Sequence, residues 1–217
     1  MREFKYKTSF SSKIRCLIDE ERDKFLSKAS LENQEGLIPE DVQNQADLLA
    51  ISCNACTPNL GNKNGDVIDT DTAIAIYRVF VNRPVNVEHS RKASYGHIIT
   101  AGFSKFDLNY LTGAGSEILK EEDVKKLKIP FNISLSGVIY KLYADKLVEA
   151  IENSNDPDSE DYLKISSSWE IGYDDFVLAV GSKYLQDCTI IDDPKKIKEF
   201  EKCLVSDGGT GKLPNGK

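Results

Sequence analysis

The chain has 217 residues, a formal net charge of −7 at neutral pH, and hydrophobic and charged fractions of 40% and 29%. This length suits one sizeable hydrophobic core, and the composition is ordinary for a globular protein. The acidic balance argues against a nucleic-acid-binding surface, and no apolar run approaches the roughly 18 residues of a membrane-spanning helix. Five irregularly spaced cysteines fit free thiols in a reducing cytosol better than a disulfide framework.

Hydrophobic periodicity and turn signals predict strands and helices that are interspersed along the chain. In chain order, the predicted elements are a strand in Ala46–Cys56, a helix from about Ala73 to Val81, strands in Pro84–His89 and His97–Phe103, a helix around Lys120–Lys128, a strand in Phe131–Tyr140, a helix in Ala144–Asn153, strands in Tyr162–Ile171 and Phe176–Val180, and a helix in Pro194–Leu204. Asn64-Gly65 is a strong turn signal, and Asp69 is an N-cap candidate for the first helix. No regular β-α-β alternation is present, so the pattern predicts an α+β fold with a mainly antiparallel sheet or barrel surrounded by helices.

The domain organisation follows from the distribution of apolar residues. We expect a single domain over residues 1–204, in which residues 1–45 form an N-terminal arm and loop. Residues 205–217 lack core-forming side chains and are rich in glycine, which predicts a flexible C-terminal tail.

The only two histidines of the chain lie near each other in sequence, at the facing ends of two predicted strands. If these strands pair antiparallel around residues 90–94, position 89 lies opposite about 95 and position 97 opposite about 87. The two-residue period of a strand then places His89 and His97 on one face of the sheet. Because imidazole titrates near neutral pH, either side chain could transfer protons. A histidine at a strand end without a chemical role is the alternative.

Three consecutive serines occupy a predicted strand just before the only tryptophan, although serine is a poor strand former. Alternation places two of the three serines on the strand face that points away from the core. That face carries Ser166, Ser168 and Glu170, and the opposite face carries Ile165, Ser167, Trp169 and Ile171. A serine hydroxyl becomes a nucleophile when a neutral imidazole within hydrogen-bond reach takes its proton. The alternative is an edge strand whose small polar residues face water.

Zinc binding is the competing chemistry that the sequence offers. Cys53 and Cys56, together with His89 and His97, supply four zinc-type ligands. However, about thirty residues separate the two pairs, and seven residues between the histidines exceed the usual structural-zinc spacing. We therefore expect neither a metal nor a cofactor, and we expect Cys53 and Cys56 to be small buried strand residues with free thiols.

Four short motifs in order carry a resemblance to a known family: Asn62-Lys63-Asn64-Gly65-Asp66, Arg83-Pro84-Val85-Asn86-Val87-Glu88-His89, Gly96-His97-Ile98 and Ser168-Trp169-Glu170. This arrangement, over roughly residues 46–195, resembles the prohead (capsid-maturation) serine proteases of tailed bacteriophages. That family resembles the herpesvirus assemblins in fold. The resemblance implies an assemblin-like β-barrel ringed by helices, a Ser–His catalytic pair, and cleavage of scaffold and capsid proteins inside the assembling head.

Carried over motif by motif, the resemblance implies that His89 is the general base and Ser168 the nucleophile. The third catalytic residue has three candidates, which are Asp66 first, Asp193 second and His97 third. The triple serine departs from the family pattern and leaves the nucleophile's register open among Ser166, Ser167 and Ser168. A long acidic insert before that strand is a second departure. On an earlier strand, Ser134 and Ser136 are outside candidates.

The resulting expectation is a phage serine endopeptidase that processes scaffold and major capsid proteins, and itself, during head maturation. Its expected location is the prohead or virion interior, within the host cytoplasm during assembly. A homo-oligomer is compatible with this expectation, whereas nucleic-acid and membrane partners are not expected. The alternative is a non-catalytic virion structural or scaffold-like protein on the same fold.

Overall fold

The computed structural model describes residues 3–16, 47–90, 92–106 and 117–216, so most of the expected N-terminal arm and loop lies outside the described residues. The strands are β1 (Tyr6–Cys16), β2 (Leu48–Cys56), β3 (Pro84–Val85), β4 (Gly96–Lys105), β5 (Ile118–Leu119), β6 (Phe131–Tyr140), β7 (Ser166–Tyr173), β8 (Leu178–Val180) and β9 (Thr189–Ile191). The α-helices are α1 (Thr70–Ile76), α2 (Glu121–Val124), α3 (Asp145–Asn155) and α4 (Pro194–Phe200). No helix among these is long and apolar enough to cross a membrane.

Seven strands form one sheet in the order β3-β4-β6-β2-β1-β7, with β5 paired to β4, and β8 and β9 form a separate two-stranded sheet. Every pairing is antiparallel. The large sheet is curled into a half-barrel with few helices around it, which confirms the α+β class and the antiparallel sheet.

The central strand β6 is buried on both faces along almost its whole length. One face carries the large apolar side chains of the core, and the other carries small polar ones. On the polar face, Ser104 Oγ and Ser134 Oγ share a hydrogen bond of 2.6 Å, and Ser134 donates to Asn54 Oδ1 at 2.9 Å. Thr100 Oγ1 and Ser136 Oγ share another of 2.6 Å. Because buried hydroxyls are costly without partners, these bonds allow β6 to occupy the middle of the sheet.

The predicted hairpin around the two histidines is wrong in its register. Strand β3 has only two residues, and Pro84 lies opposite His97 while Val85 lies opposite Gly96. Residues 86–90 and 92–95 belong to no strand, and Glu88 and His89 have φ angles of 53° and 54°. That left-handed conformation is incompatible with a strand, so pairing stops before His89 and the two histidines do not share a sheet face.

Several helix and strand boundaries differ from the sequence prediction. The first helix is capped by Asp69, whose carboxylate accepts from Thr72 N at 2.7 Å as predicted, but it continues as a 3-10 turn over Tyr77–Phe80. Strand β7 begins four residues later than predicted because Leu163, with a φ of 58°, lies in a turn. Further 3-10 turns follow β6, β8 and α4, over Lys141–Tyr143, Leu185–Asp187, Glu201–Cys203 and Val205–Asp207.

Trp169 on β7 joins several parts of the concave side of the sheet. Its ring stacks on Phe10 of β1 at a centroid distance of 5.0 Å and meets the edge of Phe80 at 4.7 Å. Its indole N–H donates to Ala55 O of β2 at 2.7 Å. The predicted alternation of β7 is confirmed, because Trp169 faces inward while Ser168 is exposed.

We predict that Trp169→Ala lowers the free energy of unfolding by about 3–5 kcal/mol, because it removes both ring contacts and leaves Ala55 O without its donor. Circular dichroism in a urea titration measures this change. Tyr143→Ala is the matched control, since Tyr143 is 76% exposed and its loss should change stability by less than about 0.5 kcal/mol. Equal unfolding midpoints for the two variants would show that Trp169 does not hold the sheet edge.

Candidate active site

The three serines of β7 have three different environments. Ser167 points inward and bonds Ser12, with an Oγ to Oγ distance of 3.1 Å. Ser166 is exposed and accepts a hydrogen bond from Lys13 Nζ at 3.0 Å. Ser168 is exposed opposite Ser11, and its hydroxyl makes no hydrogen bond to another described residue. Of the three candidates, Ser168 is therefore the one whose hydroxyl is open to an incoming group.

His89 is exposed and lies between β3 and β4, at a strained point of the backbone. Glu88 and His89 are consecutive non-glycine residues in the left-handed region. Each such residue costs on the order of 1–3 kcal/mol, and strain of this kind concentrates at functional sites and switch regions. The turn is closed by a hydrogen bond from Ser90 N to Val87 O at 3.0 Å.

His89 and Ser168 are not brought together in this structure. The His89 loop precedes β4 at the sheet end where β7 begins, but β4 and β7 are separated by β6, β2 and β1. Four strand spacings of about 4.8 Å therefore lie between them along the curled sheet. Within the described part of the chain, no hydrogen bond of 3.5 Å or less joins the two side chains.

Asp66, the first candidate for the third member, is bound to β1 instead of to a histidine. Its carboxylate accepts a hydrogen bond of 2.5 Å from Thr8 Oγ1, and Asn62 Oδ1 accepts from the backbone N–H groups of Asn64 and Asp66. This loop therefore closes on itself and anchors to the edge of β1. A cleft of about 320 Å³ lies there, lined by Lys7, Thr8, Ser9, Asn64, Asp66, Glu170 and Val205. Burial, together with the nearby Asp66 and Asp207 carboxylates, raises the pKa of Tyr173 beside this loop.

The other two candidates for the third member also have partners of their own. Asp193 is the N-cap of α4 and accepts from Lys195 N at 2.9 Å. His97 is half-buried, and its Nδ1 shares a hydrogen bond of 2.7 Å with Tyr140 Oη. Sequence reasoning missed Tyr140 as a partner of His97. The alternation of β6 was the available signal, but the register that places the two side chains side by side was not visible from the sequence.

The outside candidates Ser134 and Ser136 belong to the buried polar face of β6. Both hydroxyls are engaged, by Ser104 and Thr100 respectively. On the neighbouring strand, Ser52 Oγ is a buried side-chain oxygen for which no hydrogen-bond partner occurs among the described residues. The buried serines of β2, β4 and β6 thus form a packed layer, and neither outside candidate is an accessible nucleophile.

The four zinc-type ligands do not assemble into a metal site. Cys53 and Cys56 are buried in the core with free thiols, as predicted, whereas His89 is exposed in its loop. Burial raises the pKa of Cys53 and raises that of Cys56 to about 12. Over the described ranges, no group of three or more histidine, cysteine, aspartate or glutamate side chains could hold a metal ion.

Comparison with known proteins gives no relative. Protein-family models, curated proteins and solved structures were all searched, and none of them matches this chain.

The raised thiol pKa values predict selective reactivity. Cys53 and Cys56 should resist iodoacetamide in the native protein at pH 8, because only thiolates react and both side chains are buried. The half-buried Cys188 and Cys203 serve as internal controls and should react many-fold faster. Peptide mass spectrometry locates the labels, and labelling of Cys53 at the rate of Cys188 would contradict the burial of the thiols.

The same shifts predict a loss of stability in alkali. A folded-state pKa above the unfolded value of about 9 means that the folded protein holds its proton more tightly, so this contribution is complete below pH 9. It is lost as the pH rises from about 9 towards 12. A Cys56→Ala variant should lose less stability than the wild type over this range, as measured by urea unfolding at pH 8 and pH 10.5.

Proposed function

We propose that this chain is a serine endopeptidase of the prohead-protease type that cleaves scaffold and capsid proteins during phage head assembly. The observation that carries the proposal is the position of Ser168, which is exposed on the terminal strand of the sheet while Ser166 and Ser167 are engaged. The ordered motifs that end in Ser168-Trp169-Glu170 support it, and so does the curled antiparallel sheet, since an assemblin-like barrel is built from such strands.

The proposed chemistry is acyl transfer. Ser168 Oγ attacks the carbonyl carbon of a peptide bond while His89 takes the hydroxyl proton, and backbone N–H groups stabilise the oxyanion. When the C–N bond breaks, His89 gives the proton to the leaving amine, and an ester to Ser168 remains. Water then attacks the ester with His89 again as base, which releases the acid and restores the serine.

In this proposal the enzyme is latent until it meets its substrates. Catalysis requires the segment of residues 86–90 to carry His89 towards β7, and the left-handed Glu88 and His89 favour this rearrangement because a relaxed backbone is lower in energy. A protease enclosed with its substrates benefits from such latency. In a different loop, that of residues 62–66, Asp66 is held by Thr8 and anchors this loop beside β1. Asp66 is assigned a supporting role.

A second candidate is a non-catalytic virion structural or scaffold-like protein on the same fold. The observation that favours it is the absence of a hydrogen bond between Ser168 and His89 within the described residues. The protease proposal requires a movement of the His89 segment that closes this separation, whereas the structural protein requires no such movement.

We predict that Ser168→Ala and His89→Ala each abolish cleavage, and to a similar extent, because the two side chains act as a unit. The chain is co-expressed with its neighbouring scaffold and capsid proteins, and products are identified by mass spectrometry. Ser166→Ala is the matched control, since Ser166 is an exposed serine on the same strand face. All three substituted residues are exposed, so each variant should leave the circular dichroism spectrum unchanged.

The outcomes separate the alternatives. If cleavage survives Ser168→Ala but is lost in a folded Ser167→Ala variant, the nucleophile is Ser167 and not Ser168. Two results would refute the serine endopeptidase assignment. One is a wild type that leaves scaffold proteins, capsid proteins and its own chain intact. The other is equal cleavage by Ser168→Ala and wild type together with no effect of Ser167→Ala.

A further inference from the structure

Strand β7 ends the large sheet with a long and regular edge. Its eight residues pair with β1 through eight consecutive residue pairs without a bulge. On its other side, no strand of the described chain is paired with it. Proteins usually protect such an edge with charged side chains (lysine above all), with proline or with a bulge; β7 has one charged residue, Glu170, which pairs with Lys7 of β1, and it has no lysine, proline or bulge. An unprotected edge is a template for main-chain hydrogen bonds from another segment.

The side chains of this edge leave room for an added strand. On the inner face, Trp169 and Ile171 are only half-buried although they pack against the core. On the outer face, Ser166 and Ser168 are small and exposed. A further strand would therefore cover apolar surface on one side and meet little obstruction on the other.

The charges around β7 indicate which peptide fits. Within residues 156–175 there are seven carboxylates and a single lysine, Lys164. Most of them flank the strand at its two ends, and the full set is Asp156, Asp158, Glu160, Asp161, Glu170, Asp174 and Asp175. The lysines of β1 lie on the paired side, where Lys7 contacts Glu170 and Lys13 contacts Ser166. Lys164 forms an ion pair with Asp161 at 2.9 Å, and Lys5 lies near Asp175. Carboxylates outnumber these lysines on both sides of β7 in the sequence, which favours cations.

We infer that the open edge of β7 binds an extended basic peptide of another protein by strand addition. Its main chain continues the sheet, its β-branched or apolar side chains cover Trp169 and Ile171, and its lysines or arginines lie beside the acidic segments at the two ends. The binding uses neither the Ser168 hydroxyl nor His89, so it goes beyond the proposed protease activity and does not depend on it.

The test uses the full chain carrying Ser168→Ala, so that binding is measured without cleavage. The probe is a ten-residue peptide of six alternating valines and threonines with two lysines at each end. Its titration should change the fluorescence of the single tryptophan and slow hydrogen exchange of the β7 amides. Raising the salt concentration from 50 to 500 mM should weaken binding about tenfold, since exposed charges are screened.

Matched controls separate the main-chain and charge contributions. The same peptide N-methylated at its six central residues keeps its charge and should bind at least about tenfold more weakly, because it cannot donate ladder hydrogen bonds. On the protein, Asp156→Asn/Asp158→Asn should weaken binding several-fold. Glu122→Gln/Asp123→Asn on α2, an equal change in charge at exposed positions elsewhere, should leave binding unchanged.

Three results would overturn the inference. One is the absence of binding by the ten-residue probe peptide. Another is equal binding by its N-methylated form, which would show that the peptide is held by charge alone and not by main-chain hydrogen bonds. The third is slow hydrogen exchange of the β7 amides in the peptide-free protein, combined with dimers in analytical sedimentation. This result would assign the edge to a second copy of this chain.

Discussion

The constraint on which the rest of the structure depends is the burial of β6 on both faces. A strand in that position must satisfy its polar side chains internally, and Ser134 and Ser136 do so through Ser104, Asn54 and Thr100. These bonds fix the register of β6 against β2 and β4, since a one-residue slip would turn the hydroxyls into the apolar core. Strands β1 and β7 lie beyond β2, which makes β7 the terminal strand of the sheet on this side. Ser168 thereby reaches the edge of the sheet, away from its middle.

The sequence predicted those parts of the fold that depend on local patterns. The alternation of β7, the buried strand β2, the presence of a strand at β6 and the Asp69 cap are all visible in composition and period, whereas the burial of β6 on both faces was not predicted. The sequence did not reveal the register of the His89 segment, because this register depends on two left-handed residues that leave no trace in side-chain periodicity. The same limit explains why Tyr140 was missed beside His97, since only the pairing of β4 with β6 joins them.

The candidate site consists of parts that the fold keeps separate. Ser168 is exposed on a rigid strand, His89 lies on a strained loop, and Asp66 is held by Thr8 at the edge of β1. The proposed protease therefore depends on a conformational step that brings His89 to Ser168.

The central claim is that His89 activates the hydroxyl of Ser168 as a nucleophile. The most direct measurement is covalent labelling with a fluorophosphonate in the presence of scaffold and capsid proteins, with the modified residue located by peptide mass spectrometry. The account predicts one phosphonylated residue, Ser168, and loss of the label in His89→Ala. If scaffold is cut while Ser168 stays unmodified, or if His89→Ala labels at the wild-type rate, the account is contradicted.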